Sequence, residues 1–190
     1  MIDFEKYLEA LIVVDVQNDF CPGGTLAVEN GDKVISGINK LLSIDKWLRV
    51  GTRDWHPDNH ISFQKHGGMW PEHCVRESVG SEFHRLLYSH FFQKVVSKGT
   101  KETLEAYSGF EGTELSEILR EYGVKKIFIC GLATDYCVRA TALDARKEGF
   151  EVVLISDCVE SVNVKAGDGE KAIQEMTEFG CAVLKSTDFK

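Results

Sequence analysis

Six short runs rich in β-branched and aliphatic residues place the tightest constraint on how this chain folds. They are LIVVD (11–15), WLRVGTRD (47–54), QKVVSKG (93–99), KIFICG (126–131), EVVLISD (151–157) and CAVLKS (181–186). Where such runs are apolar continuously rather than at alternate positions, they read as strands buried on both faces. Between them, apolar residues recur at helical spacing: Val34, Ile35, Ile38, Leu41 and Leu42; Leu115, Ile118, Leu119 and Tyr122; Ala172, Ile173, Met176 and Phe179. Gly123, Gly149 and Gly180 follow helical runs, where a left-handed cap is commonly needed. Doubly buried strands alternating with amphipathic helices predict an α/β protein, a three-layer α/β/α arrangement around a six-stranded, mainly parallel, Rossmann-like sheet.

At 190 residues, and with no repeat, low-complexity tract or linker, the sequence reads as a single domain over 1–190. A net charge of -8 with no basic block argues against nucleic acid or an anionic membrane as partner and favours a small molecule or a protein. The acidic start and short apolar run of MIDFEKYLEALIVVD do not make a signal peptide, and no segment has the length of a membrane span. A cytoplasmic protein is expected, with its six scattered cysteines reduced.

Parallel sheets place ligands beyond the carboxyl ends of their strands. Asp15, Asp54, Lys98 and the loop leading to Cys137 all fall at or just after such ends. Each has a plain reading by itself: Asp15 as a turn residue, Lys98 as a solvated strand end, Cys137 as a small core residue. Together they supply a carboxylate able to take a proton, a cation, and a thiol where a helix should begin. There, unpaired backbone N–H groups favour the thiolate and can receive an oxyanion.

The stretch 55–80 has little periodicity and carries four of the six histidines, so it reads as a functional loop. In RDWHPDNH, Asp54 and His56 stand two apart and share a side of an extended chain. His60 follows, and WPEHC brings His73 from the far end of the loop. One Asp with two or three histidines suits a divalent ion, with zinc, iron and manganese all compatible and zinc foremost. Cys74 would point away from its neighbour His73 and is left out of the set. The plain alternative is a polar loop whose histidines bond to backbone.

The segments IVVDVQNDFCPGGTLAV, TRDWHPDNHISF, WPEHCV, Lys98–Gly99, AYSGFEGTEL and CGLATDYCVRATALDA, in this order over nearly the whole chain, resemble the nicotinamidase/pyrazinamidase branch of the isochorismatase-like cysteine hydrolases. The resemblance implies an amidohydrolase that converts nicotinamide, and pyrazinamide, to the acid and ammonia through a cysteine thioester, in NAD salvage. It implies a triad of Asp15, Lys98 and Cys137, and an oxyanion hole from the N–H groups of Ala133 and Cys137 beside a cis peptide at Leu132–Ala133. It also implies a metal set of Asp54, His56 and His73, with His60 matching a fourth ligand of some members, direct or through water. Phe20, Trp70, Tyr107, Leu132 and Ala133 match the substrate pocket. Tyr136 stands where some relatives carry histidine, and the number of subunits, including a homo-oligomer, is left open. Branches acting on carbamoyl amides lack this Asp/His set, and the vinyl-ether branch lacks the cysteine. A dinucleotide-binding enzyme would need a G-x-G-x-x-G turn, which neither CPGGTLAVENG nor CGLATDYC provides. A non-catalytic binding protein on the same fold would have no use for acid, amine and thiol at three strand ends.

Overall fold

A computed structural model describes residues 7–189. The first six residues, and with them most of the acidic start read above as unlike a leader, lie outside the described part. Six strands form one sheet: β1 (Glu9–Val14), β2 (Leu48–Asp54), β3 (Lys94–Lys98), β4 (Lys126–Leu132), β5 (Glu151–Glu160) and β6 (Ala182–Leu184). Their order is β3-β2-β1-β4-β5-β6, and every neighbouring pair is parallel, so the sheet expected to be mainly parallel is wholly so.

Alternation along β1 explains the three layers. Leu11 and Val13 point into one core with Ile35, Ile38 and Leu41 of helix α1 (Val34–Leu42). Ala10, Ile12 and Val14 point into the other. That second core contains Leu115 and Leu119 of α2 (Leu115–Glu121), Ala142 of α3 (Arg139–Lys147) and Met176 of α4 (Asp168–Glu178). The chain moves outward from β1 to β2 but in the opposite direction from β4 to β5. Right-handed crossovers then put α1 on one face and α3 and α4 on the other. The reversal leaves a crevice between the carboxyl ends of β1 and β4, where sheets of this kind bind ligands.

Gly131 shapes that crevice. Its φ is +114°, and a Cβ there would lie 2.1 Å from the carbonyl oxygen of Val14, so only glycine lets β4 close on β1 at this level. The β4–β5 register shifts at the same place, and the peptide Leu132–Ala133 that follows is cis. The long segment after β2 is ordered by backbone bridges, His56 to Val75 and Phe63 to Trp70, which bring its two ends together. No helix among the described residues is long and apolar enough to cross a membrane.

Candidate active site

Three strand ends and one turn deliver the reactive groups. Asp15 follows β1 with φ +49° and accepts at Oδ1 from the hydroxyl of Thr52, 2.7 Å away. Lys98 is the last residue of β3 and Asp54 the last of β2, and the two are register partners. Cys137 lies in a π-helical turn, Thr134–Val138, that runs directly into α3. The helical path therefore starts three residues before the thiol rather than at it.

The ammonium of Lys98 joins the group. Its Nζ lies 2.9 Å from Asp15 Oδ2, 3.5 Å from Cys137 Sγ and 3.3 Å from the carbonyl of Ala106, and it donates to Asp54 Oδ1. All four side chains are buried. Burial raises the Asp15 carboxyl, with Lys98 pulling the other way. For Asp54 burial pushes upward too, but Lys98 and then the neighbouring histidines outweigh it, and the carboxyl stays well below the ordinary range. The Cys137 thiol is pushed well above its ordinary value by burial, and the carboxylates of Asp15 and Asp54 add to this against Lys98. Exclusion of water and the two nearby carboxylates thus work against the thiolate that a helix start favours.

A second group shares Asp54. One donor atom each from Asp54, His56 and His73 lies within 4.8 Å of the others. His56 Nδ1 lies 2.9 Å from the carbonyl of Gly99, and His73 Nδ1 lies 2.8 Å from that of Pro71. Since a carbonyl only accepts, each Nδ1 carries a ring proton, and in the neutral ring each Nε2 then keeps its lone pair. Those Nε2 atoms lie 3.4 and 3.9 Å from Asp54 Oδ2, and Nε2 of His56 is buried without a hydrogen-bond partner. With both carboxyls ionised and the histidines neutral, Asp15 and Asp54 carry one negative charge more than Lys98 offsets, which a cation would balance. The donor set fits a divalent ion. His60 stands apart from the three: its ring stacks on that of His56 at 4.2 Å, and its two nitrogens lie 2.7 Å from Ser62 Oγ and 3.1 Å from the Leu104 carbonyl. Cys74 is also apart, its N–H bound to Asp19 and its sulfur near Gly80.

Beside both groups lies a pocket whose empty space, open mouth included, is about 560 Å³. Phe20, Trp70, Tyr107, Leu132, Ala133 and Cys137 all line it, as do Asp54 and His73. The indole N–H of Trp70 donates to the hydroxyl of Tyr107 at 2.9 Å, fixing two walls against each other. Sequence reasoning did not assign Glu105, Leu26 and Val28, which also line the pocket, nor Tyr136, which meets Trp70 edge-on at 5.3 Å. It also missed Gln17, whose side chain clamps the Asp54 backbone by two 2.8 Å hydrogen bonds. The spacing held a signal for two residues it passed over: Thr52 precedes Asp54 by two on one strand, and Gln17 follows Asp15 by two.

Comparison with known proteins agrees with this geometry. The Isochorismatase domain matches residues 9–188. A nicotinamidase of Escherichia coli is 35% identical over 95% of this chain and 96% of its own. The pyrazinamidase of Pyrococcus horikoshii, solved in complex with zinc, is 52% identical and superposes with a TM-score of 0.88 over 94% of this chain and 99% of its own. PnC1 of L. infantum, solved in complex with nicotinate, is 39% identical with a TM-score of 0.89, covering 94% of this chain and 93% of its own. A wholly parallel six-stranded sheet, reactive groups gathered at its switch point and a domain match from β1 to the last turn lead to one assignment: the chain belongs to the isochorismatase family.

Proposed function

We propose that this protein is an amidohydrolase that converts nicotinamide to nicotinate and ammonia, and pyrazinamide likewise, with Cys137 as nucleophile. One observation carries the reading. A buried ammonium touches both a raised carboxyl and a thiol, and the thiol faces a pocket walled by aromatic rings. The nicotinamidase and pyrazinamidase relatives, and the nicotinate held by one of them, support the choice of substrate.

In this mechanism the flat ring lies among Phe20, Trp70 and Tyr107. Asp15 takes the Cys137 proton, and Lys98 holds the thiolate as it forms. The sulfur attacks the carboxamide carbon, and the backbone N–H groups of Ala133 and Cys137 receive the oxyanion. Asp15 returns its proton to the departing ammonia, leaving a thioester on Cys137. Water then attacks the thioester with Asp15 again as base, and nicotinate leaves. Asp54, His56 and His73 would hold a divalent ion, zinc foremost, which when bound supplies Lewis acidity to grip and orient the substrate ring.

The test is direct. Purified protein is given nicotinamide, ammonia is measured, and acid-quenched samples are weighed for a nicotinoyl adduct on Cys137. Cys137→Ala is expected to lose turnover by more than about 10⁴-fold while retaining nicotinamide binding, as when a nucleophile is removed. Turnover retained in that variant, or none in the wild type, would overturn the proposal.

A further inference from the structure

We infer that His60 is a positioning residue, not a metal ligand: its two ring nitrogens tie Leu104, which leads into the pocket wall at Glu105–Tyr107, to Ser62 in the loop after β2. The proton positions carry the argument. His60 Nε2 faces the carbonyl of Leu104 at 3.1 Å, which can only accept, so Nε2 carries the ring proton. Nδ1 then accepts, from the Ser62 hydroxyl at 2.7 Å and the Ser62 N–H at 3.3 Å. His56 and His73 are the opposite tautomer, each donating from Nδ1–H to a backbone carbonyl, which leaves Nε2 of the neutral ring free for an ion. One residue type is thus used in two ways a few ångströms apart. The placement agrees: the His60 ring stacks on that of His56 at 4.2 Å, and the donor atoms that come within 4.8 Å of one another are those of Asp54, His56 and His73, without His60.

What His60 holds is the connection from β3 to α2. It is tied at Glu102, whose carbonyl accepts from Ile61 N–H at 2.8 Å, and at Leu104 by His60 itself. The next three residues, Glu105, Ala106 and Tyr107, line the pocket. Ala106 offers its carbonyl to Lys98, and Tyr107 its hydroxyl to Trp70. Losing the strap frees this wall while leaving Asp54, His56 and His73 their own partners. The inference rests on the amidase reading only for its kinetic readout.

The experiment compares wild type with His60→Ala and His60→Gln. Glutamine can still donate to Leu104 and accept from Ser62 but is a poor zinc ligand. Zinc affinity is measured by competition with a chromophoric chelator, nicotinamide kinetics by ammonia release, and exposure of residues 99–113 by limited proteolysis. His60→Ala is expected to hold zinc within about fivefold of wild type and to raise KM about tenfold with a smaller change in kcat, the scale of one lost hydrogen bond. Its loop is cut faster, and His60→Gln recovers most of the loss. Zinc affinity falling more than about 100-fold in both variants would make His60 a ligand and overturn the inference, because even outer-shell partners are worth 10- to 100-fold. Wild-type KM and loop cleavage in His60→Ala would overturn it too. If the alanine variant fails to fold, zinc retained or lost by His60→Gln decides. A wild type inert toward nicotinamide would remove the amidase reading, leaving zinc affinity and loop cleavage to judge His60.

Discussion

Lys98→Met removes one charge and leaves the shape of the stem. In the native protein the ammonium lies 2.9 Å from Asp15 and also contacts Asp54, with the side chains of Lys98 and Asp15 at zero exposure and that of Asp54 at 7%. At that burial solvent screening gives little relief, and breaking such an ion pair by deleting one partner costs about 3–5 kcal/mol. The pH dependence has a definite sign. Asp54 is held below its ordinary value of 3.8, so in the wild type it adds stability that is complete above that value and fades as pH falls below it. Without Lys98, burial and Asp54 raise the Asp15 carboxyl with only the Thr52 hydroxyl opposing, while Asp54 keeps just the histidines against its burial. Above 3.8 the unfolded chain then ionises before the folded one, so the variant loses stability as pH rises. The deficit should therefore be small in acid and largest near neutrality. Urea unfolding of chelator-treated wild type and variant between acid and neutral pH reads it, and kcat/KM should fall at least about 1,000-fold, the equivalent of about 4 kcal/mol. A deficit below about 1 kcal/mol at neutral pH, or one that grows toward acid, would refute the reasoning, because it would mean the ammonium is not what compensates these carboxylates.

Two further outcomes test the ion-binding group. His56→Ala should lower zinc content and raise the KM for nicotinamide about tenfold or more, checked by metal analysis and steady-state kinetics; zinc at wild-type stoichiometry and affinity would remove His56 from the set. Gly99→Ala puts a Cβ 2.4 Å from the His56 ring at φ +60°, so it should cost about 1–2 kcal/mol from the backbone and weaken zinc about 10- to 100-fold by displacing that ring. Gly112→Ala, at φ +67° with its nearest neighbour at 3.9 Å, should show the backbone cost alone in the same chelator and unfolding assays.

The fold was legible because strands buried on both faces announce themselves. LIVVD, KIFICG and EVVLISD each lie on a strand of the sheet, with ends shifted by a few residues where pairing continues past the apolar run. β5, for instance, runs on to Glu160 beyond a register shift that periodicity does not encode. The proximity of Asp15, Lys98 and Cys137 could be read from their places at or after strand ends because the switch-point rule turns chain position into spatial proximity. Gln17, Thr52 and Glu105 were less visible for a related reason: their roles come from contacts across 37 or more residues, or from a loop with no period at all. The upward push on the Cys137 thiol was not legible in its own turn, because it comes from burial and from Asp15 and Asp54, which arrive from distant parts of the chain.

Asp54 shows why the two reactive groups form one site. Its two oxygens have different partners: Oδ1 takes the Lys98 ammonium, and Oδ2 faces the free Nε2 atoms of His56 and His73. Any change in the charge on Oδ2 is felt at Oδ1, and so at the ammonium that Asp15 and Cys137 share. A cation held at Oδ2 would draw the Asp54 charge away from Lys98, leaving more of the ammonium's field for Asp15 and the developing thiolate. The carboxylate read in the sequence as a metal ligand thus also touches Lys98, and in the proposed mechanism binding of the ring and attack on its amide would be coupled through this single side chain.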